Sequence, residues 1–189
     1  MALPSVLAIA AVVLWAGYEV LLRRRDDSGT ASWQGGAGDR GSTRLLLAAY
    51  ALSVVLVVLL AGHDAGRVPT PWRWAGVALA VAGLAVRAWG MRTLGRFYTR
   101  TLRTTEGHRV VREGPYRLIR HPGYSGSLLV WSGYALATAG WIAFLLVAAV
   151  LLAAYSWRIA AEERLLLAAF GAEYAGYRRD TKRLVPFLY

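Results

Sequence analysis

Pro122–Trp157 runs for 36 residues without one formally charged side chain. A bilayer-spanning helix takes about 20 apolar residues, within a range of roughly 17–25. The stretch is too long for one such helix and suits two short ones. Thr138-Ala139-Gly140-Trp141 stands near its midpoint and predicts the turn of a tight helical hairpin. Three more uncharged stretches precede it: Met1–Tyr18, extended by Glu19-Val20-Leu21-Leu22; Leu45–Gly62; and Trp74–Val86. The third reaches spanning length if Arg87, followed by Ala88-Trp89, lies near a helix end and snorkels to the interface. Five spans are predicted.

The basic residues orient them. Arg23, Arg24, Arg25, Arg40 and Arg44 follow the first span; Arg67 and Arg73 follow the second; the loop after the third carries eight arginines from Arg92 to Arg120. The hairpin turn has none, and Arg158, Arg164, Arg178, Arg179, Lys182 and Arg183 close the chain. Nineteen of the 22 Lys and Arg then share one side, two lie on the other, and Arg87 sits in a span. Cytoplasmic loops collect Lys and Arg, so the N-terminus is placed outside and the C-terminus inside. A four-span chain would strand the basic tail outside. The expected fold class is an all-α integral membrane protein of about five transmembrane helices.

Several function classes drop out. The net charge of +11 is explained by topology, so no nucleic-acid partner is expected. With no cysteine and three histidines, at 63, 108 and 121, the chain offers no disulfide, no thiolate chemistry and no expected metal site. The first arginines follow the first apolar run, whereas a cleaved signal peptide carries its basic region before it; the segment reads as a retained anchor. Trp15, Tyr18, Trp72, Trp74, Trp89 and Trp157 fall near span ends, as interfacial belts do. Asp26–Ser42 reads as a cytosolic linker, because Gly35-Gly36-Ala37-Gly38 lacks the strand and helix start that a phosphate-cradling turn needs. No GxGxxG follows a strand.

Chemistry concentrates on the inner face. Arg92–Tyr124 is long and rich in aromatic and β-branched residues, which argues for a functional loop. Arg120-His121-Pro122-Gly123-Tyr124 stands where the fourth span begins, with Pro122 suited to a first helical turn. A helix start offers free N–H groups to an anion, and Arg120 adds a bidentate cation. Beyond the hairpin, Glu162 and Glu163 return to the same face, where acidic groups beside lipid require partners. Arg158, four residues before Glu162, is one local candidate; Arg120 across the hairpin mouth is the other. Phe170, Tyr174 and Tyr177, at i, i+4 and i+7, predict an amphipathic helix on the membrane or over a pocket.

Two blocks carry a resemblance. Gly114-Pro115-Tyr116-x-x-x-Arg120-His121-Pro122-x-Tyr124-x-Gly126 is one. Glu162-Glu163-x-x-Leu166-x-x-x-Phe170-Gly171-x-Glu173-Tyr174-x-x-Tyr177, followed by Arg183 and Pro186-Phe187, is the other. Together with Leu94-Gly95-Arg96 and Gly107-His108-Arg109-Val110-Val111, they resemble the isoprenylcysteine carboxyl methyltransferase family over residues 72–189. The resemblance divides the chain into two N-terminal helices with a cytosolic loop (1–71) and a methyltransferase core (72–189). It implies an integral membrane enzyme using S-adenosyl-L-methionine. The cofactor pocket is formed by the cytosolic loop, the hairpin mouth and the C-terminal helix, and a lipophilic substrate enters from the bilayer. By carry-over, His108, Val110, Val111, Gly114, Tyr116, His121, Pro122, Tyr124, Gly126 and Tyr174 hold the cofactor. Arg120 with Glu162 or Glu163 forms the catalytic polar group; spacing does not choose between the glutamates, and Glu162 is placed first.

The residue types suit that chemistry. A sulfonium methyl is already activated, so the protein supplies position and excludes water. A carboxylate acceptor is ionised at neutral pH and needs no base; Arg120 can aim it through two parallel hydrogen bonds. The helix start at Pro122 suits the cofactor's own carboxylate, and Tyr116, Tyr124 and Tyr174 suit its adenine or sulfonium. The expected reaction is O-methylation of a lipophilic, isoprenoid-like acid at the cytoplasmic side of a cell membrane. High Arg and Ala with a single Lys point to a GC-rich bacterial source, hence to an inner membrane. Two other activities share parts of the pattern. A phospholipid or amine N-methyltransferase would need a base such as His108 or a glutamate. A nicotinamide-dependent sterol or enone reductase has a similar Arg-His-Pro stretch but lacks the Glu-Glu-x-x-Leu…Phe-Gly block.

Overall fold

The computed structural model describes residues 2–25, 41–63, 66–95 and 110–186. They form five helices and one 3₁₀ turn: α1 Leu3–Arg25, α2 Ser42–Ala61, α3 Thr70–Leu94, the 3₁₀ turn Gly114–Arg117, α4 Pro122–Thr138 and α5 Trp141–Asp180. Among the described residues there is no strand, only an isolated parallel bridge between Ile119 and Lys182. Four helices, α1, α2, α3 and α5, are long and apolar enough to cross a membrane. With 17 residues, α4 sits at the lower limit of the spanning range.

The uncharged stretch of 36 residues is a hairpin of α4 and α5, broken at Ala139-Gly140. Gly140 takes φ 102°, ψ −165°, which only glycine adopts readily. The Trp141 N–H donates to Gly66 O at 2.9 Å, and a Cβ on Gly140 would collide with that same carbonyl. The turn is therefore pinned to the segment joining α2 and α3.

Glycines also set the closest helix pair. Gly76, Gly83 and Gly90 of α3 recur every seven residues, as do Gly126 and Gly133 of α4. The helices run antiparallel. A Cβ on Gly83 would lie 2.5 Å from Gly126 O, one on Gly126 2.6 Å from Gly83 O, and one on Gly76 2.7 Å from Gly133 O. Small residues let backbones approach in a lipid environment, where helix association rests on packing and hydrogen bonds. Gly90 sits over Pro122 at the start of α4, so the ladder fixes where that helix begins.

On α2 the buried residues Ala49, Ser53 and Val57 form one stripe at i, i+4 and i+8, while Leu45, Leu52, Val54, Val55, Val58 and Leu59 are exposed. That apolar exterior suits hydrocarbon. The core lies between α2, α4 and α5, where Val130, Val147, Leu151, Tyr155 and Ile159 are fully buried. Trp15, Tyr50 and Trp131 pack there with ring centroids 4.8–5.5 Å apart.

Two expectations are corrected inside this bundle. Arg87 does not snorkel to an interface. It is 6% exposed, ion-paired with Glu19 of α1 and hydrogen-bonded to Gly123 O and Ser127 Oγ of α4. Trp15 is not an interfacial residue either: it is buried, and its Nε1 donates to Ser127 Oγ at 2.9 Å. Both have polar partners in the interior, which offset the cost of burial away from the headgroups. Trp72, Trp74, Trp89 and Trp157 are exposed, as interfacial positions require.

Candidate active site

The site grows from the segment leading into α4. The 3₁₀ turn at Gly114–Arg117 packs on the end of α3, where a Cβ on Gly114 would meet Thr93 Oγ1 and Trp89 Nε1. The chain then pairs with the C-terminal segment. Lys182 N–H donates to Leu118 O at 3.1 Å, Arg120 N–H to Lys182 O at 2.8 Å, and His121 N–H to Arg183 O at 3.1 Å. Ser125 Oγ reaches Leu184 O at 2.6 Å. These bonds hold Arg120 and His121 in one conformation. Pro122 follows at the first helical position and His121 is the capping residue, with its carbonyl accepting from the Tyr124 and Ser125 N–H groups.

On the other arm, Leu151, Tyr155 and Arg158 continue a buried stripe at i, i+4 and i+7, and Glu162 and Glu163 follow one turn later. The α5 helix does not continue as one rod. Gly171 adopts φ 50°, ψ −121°, a conformation close to glycine-only, and the helix kinks there. This corrects the single face expected of Phe170, Tyr174 and Tyr177, because the kink falls between the first and the second. Tyr174 and Tyr177 are buried, while Phe170 is half-buried.

The hairpin mouth brings the charged residues together. Arg120 Nε donates to Glu163 Oε1 at 2.8 Å, with both side chains buried. Arg120 NH1 donates to Arg178 O at 3.1 Å and to Thr181 O. Glu163 Oε2 also faces Arg183 NH2 at 3.4 Å and Arg178 NH2 at 3.6 Å. One carboxylate thus meets three guanidinium groups. His121 lies between the two glutamates, with Nε2 3.5 Å from Glu163 Oε1 and Nδ1 3.9 Å from Glu162 Oε2.

Glu162 has a different partner. Its Oε2 accepts from Tyr124 OH at 2.9 Å, and Arg158 Nε donates to the same hydroxyl at 3.3 Å. Arg158 NH1 continues to Ser42 Oγ at 2.8 Å and Thr43 Oγ1 at 3.0 Å. The start of α2 therefore joins the site. The contact from α2 does not follow from local patterns, and Arg158's burial was not expected. The available signal was the apolar stripe, since Arg158 stands seven residues after Leu151 on a buried face.

Of the remaining expected residues, Val111 is buried and Val110 half-buried, in the segment leading to the 3₁₀ turn. Tyr116 accepts through its carbonyl from Tyr177 OH at 2.8 Å, and Arg112 NH2 donates to Glu173 O at 3.0 Å. This ties the pre-α4 segment to the far arm of α5. Gly126 faces Gly83 and Arg87 of α3, so its place in the fold is the helix interface. His108 lies outside the described residues.

At the hairpin mouth, Tyr174 OH is buried without a hydrogen-bond partner, and His121 Nε2 has only the 3.5 Å contact to Glu163 Oε1; buried polar groups ordinarily have one. A cleft of about 260 Å³ is lined by Arg120, Ala175, Arg178 and Arg179. Excess positive charge, unfilled hydrogen-bonding capacity and neighbouring aromatic rings fit a zwitterionic, aromatic cofactor with a carboxylate.

Comparison with known proteins agrees with the motifs. The sequence model of the isoprenylcysteine carboxyl methyltransferase family matches residues 76–168, about half of the chain. A probable protein-S-isoprenylcysteine O-methyltransferase from Oryza sativa subsp. indica is 32% identical over 117 residues, 61% of this chain and 61% of that protein. Protein-S-isoprenylcysteine O-methyltransferase B of Arabidopsis thaliana is 34% identical over 116 residues, 60% and 58% of the two chains. Methanethiol S-methyltransferase 2 of Bradyrhizobium diazoefficiens is 41% identical over 75 residues, 39% of this chain and 27% of that protein. The chain thus spans about three fifths of the length of the plant relatives it matches.

Proposed function

Because this chain belongs to the isoprenylcysteine carboxyl methyltransferase family, we propose that it is a multi-pass membrane methyltransferase. In this reading it uses S-adenosyl-L-methionine and O-methylates the carboxylate of a lipophilic, isoprenoid-like acid on the cytoplasmic side. The observation that carries the reading is the meeting of Arg120 and His121 with Glu162 and Glu163 at the mouth of the α4–α5 hairpin.

The cofactor supplies an activated methyl group on sulfonium. Everything else falls to the chain. Tyr174 OH offers the polar contact it lacks internally, and His121 Nε2, held only at 3.5 Å from Glu163, offers a second. The guanidinium groups around the cleft attract carboxylates, that of the cofactor or that of the substrate. Glu163 is the internal counter-ion that keeps Arg120 oriented. Glu162, with Tyr124 and Arg158, places a second carboxylate where a sulfonium is attracted and no proton need move. The rings of Tyr124 and His121, 5.7 Å apart, shield that face from water.

The test is methyl transfer from isotopically labelled donor to a panel of lipophilic acids, with the product treated with mild alkali. An ester loses its label, and an N-methyl product keeps it. Full retention would overturn O-methylation in favour of an N-methyl or S-methyl product. A thiol acceptor is the second reading, favoured by the likeness to methanethiol S-methyltransferase 2; its product also survives alkali and forms from thiols alone.

A further inference from the structure

The bundle holds a second guanidinium–carboxylate pair that the proposed reaction does not use. Arg87 lies seven residues before the end of α3, about 10 Å from that end at 1.5 Å per residue. It is ion-paired with Glu19 of α1, and both are buried. Ionisable groups at such depth are rare and usually functional. Arg87 NH1 donates to Gly123 O at 2.8 Å and to Ser127 Oγ at 2.7 Å. Ser127 Oγ donates to Gly123 O at 3.0 Å and accepts from Trp15 Nε1 at 2.9 Å. The Arg87 guanidinium also stands 5.7 Å from the Trp15 ring centroid.

Two of these bonds end on the Gly123 carbonyl and two on the Ser127 hydroxyl one turn later. Gly123 lies between Pro122 and Tyr124, and Tyr124 OH is the donor to Glu162. A rotation or slide of the first turn of α4 would move Tyr124 off Glu162 and His121 off Glu163. Glycine contacts between α3 and α4 set their spacing. The Arg87 guanidinium adds a directional, charge-assisted bond to the Gly123 carbonyl.

We infer that Arg87, neutralised by Glu19, is a positioning residue that fixes the first turn of α4 for cofactor binding. The helix α1, which lies outside the family match at residues 76–168, thereby becomes a working part of the site. Removing one partner of a buried pair strands the other charge, whereas replacing both by apolar groups is often neutral. Stability and positioning therefore separate. Stability follows charge balance, but the bond to Gly123 O follows Arg87 alone. The link to cofactor affinity rests on the methyltransferase reading; the link to the α4 turn does not.

The experiment compares the full chain in lipid nanodiscs as wild type, Arg87→Met, Glu19→Met and the double variant Glu19→Met/Arg87→Met. Melting temperature is expected to fall in each single variant and to recover in the double. Amide exchange at residues 123–127 is expected to rise about tenfold in Arg87→Met and to stay raised in the double. The KM for S-adenosyl-L-methionine should rise about tenfold in the same two proteins, with kcat changed less than about threefold. Exchange and KM that recover along with melting temperature in the double would overturn the inference and leave a purely structural pair. If Arg87→Met does not fold, the double variant decides alone. A wild type that transfers no methyl group would sink the enzymatic reading, and the exchange result would still decide this one.

Discussion

Two buried arginines answer to opposite demands. In the interior, Arg87 has one carboxylate, Glu19, for its one charge. At the hairpin mouth, Arg120 shares Glu163 with Arg178 and Arg183 and borders a cleft of about 260 Å³. The two pairs are about equally removed from solvent, so burial does not distinguish them. The ratio of charges does: the inner pair sets one guanidinium against one carboxylate, whereas at the mouth three guanidinium groups lie within 3.6 Å of one carboxylate. The balanced pair suits a role in holding helices, and the unbalanced one beside a cleft is where the proposed cofactor site lies.

The largest expected effect is at the mouth. Glu163→Gln leaves its guanidinium partners without a buried counter-charge. It should lower stability by about 3 kcal/mol and methyl transfer by about 10²-fold or more, read by thermal melting and by labelled-donor turnover. Arg120→Ala should match it, because Arg120 also ties down the Arg178 and Thr181 carbonyls.

Glu162→Gln sharpens the contrast within the mouth. Glu162 is more exposed than Glu163 and its partner is a neutral hydroxyl, so stability should move by less than about 1 kcal/mol. Turnover should still fall about 10²-fold if Glu162 attracts the sulfonium as proposed. Equal stability losses in both glutamate variants would erase the distinction drawn between them.

Two glycines test the scaffold rather than the charges. Gly171→Ala forces a side chain into φ 50°, ψ −121°, at about 1–3 kcal/mol. Straightening α5 would pull Tyr174 and Tyr177 from the site, and turnover should fall with melting temperature. Gly83→Leu overpacks the α3–α4 contact, again by roughly 1–3 kcal/mol. The smallest effect is expected for Leu52→Ala on the exposed face of α2, within about 0.5 kcal/mol and with unchanged turnover.

Helices, hairpin turn and charged mouth were legible in the sequence because each signal is local. Hydropathy marks Leu45–Gly62 and Pro122–Trp157 without reference to anything else, and Gly140 at the break declares the turn. The motif spacing around Arg120 and the Glu pair anticipated their approach across the hairpin. What escaped was long-range. Nothing near Arg87 announces that Glu19, on another helix, will neutralise it, so the general rule of snorkelling was the natural expectation. Trp15 looked interfacial because its partner Ser127 lies far along the chain. The choice between Glu162 and Glu163 is a matter of rotation about α5, about 100° per residue, which motif spacing alone does not fix. Gly171 carried a legible warning, as a glycine inside a helical pattern.

The most direct test of the receiving mouth is calorimetric titration of the detergent-solubilised chain with S-adenosylhomocysteine, comparing wild type with Tyr174→Phe. The Tyr174 hydroxyl is buried and has no internal hydrogen bond, so its removal should leave melting temperature unchanged or slightly raised. Saturable binding to the wild type, weakened about tenfold in the variant, is the expected result. No binding by a folded wild type, or identical affinity in the two proteins, would contradict the assignment of this cleft as the cofactor site.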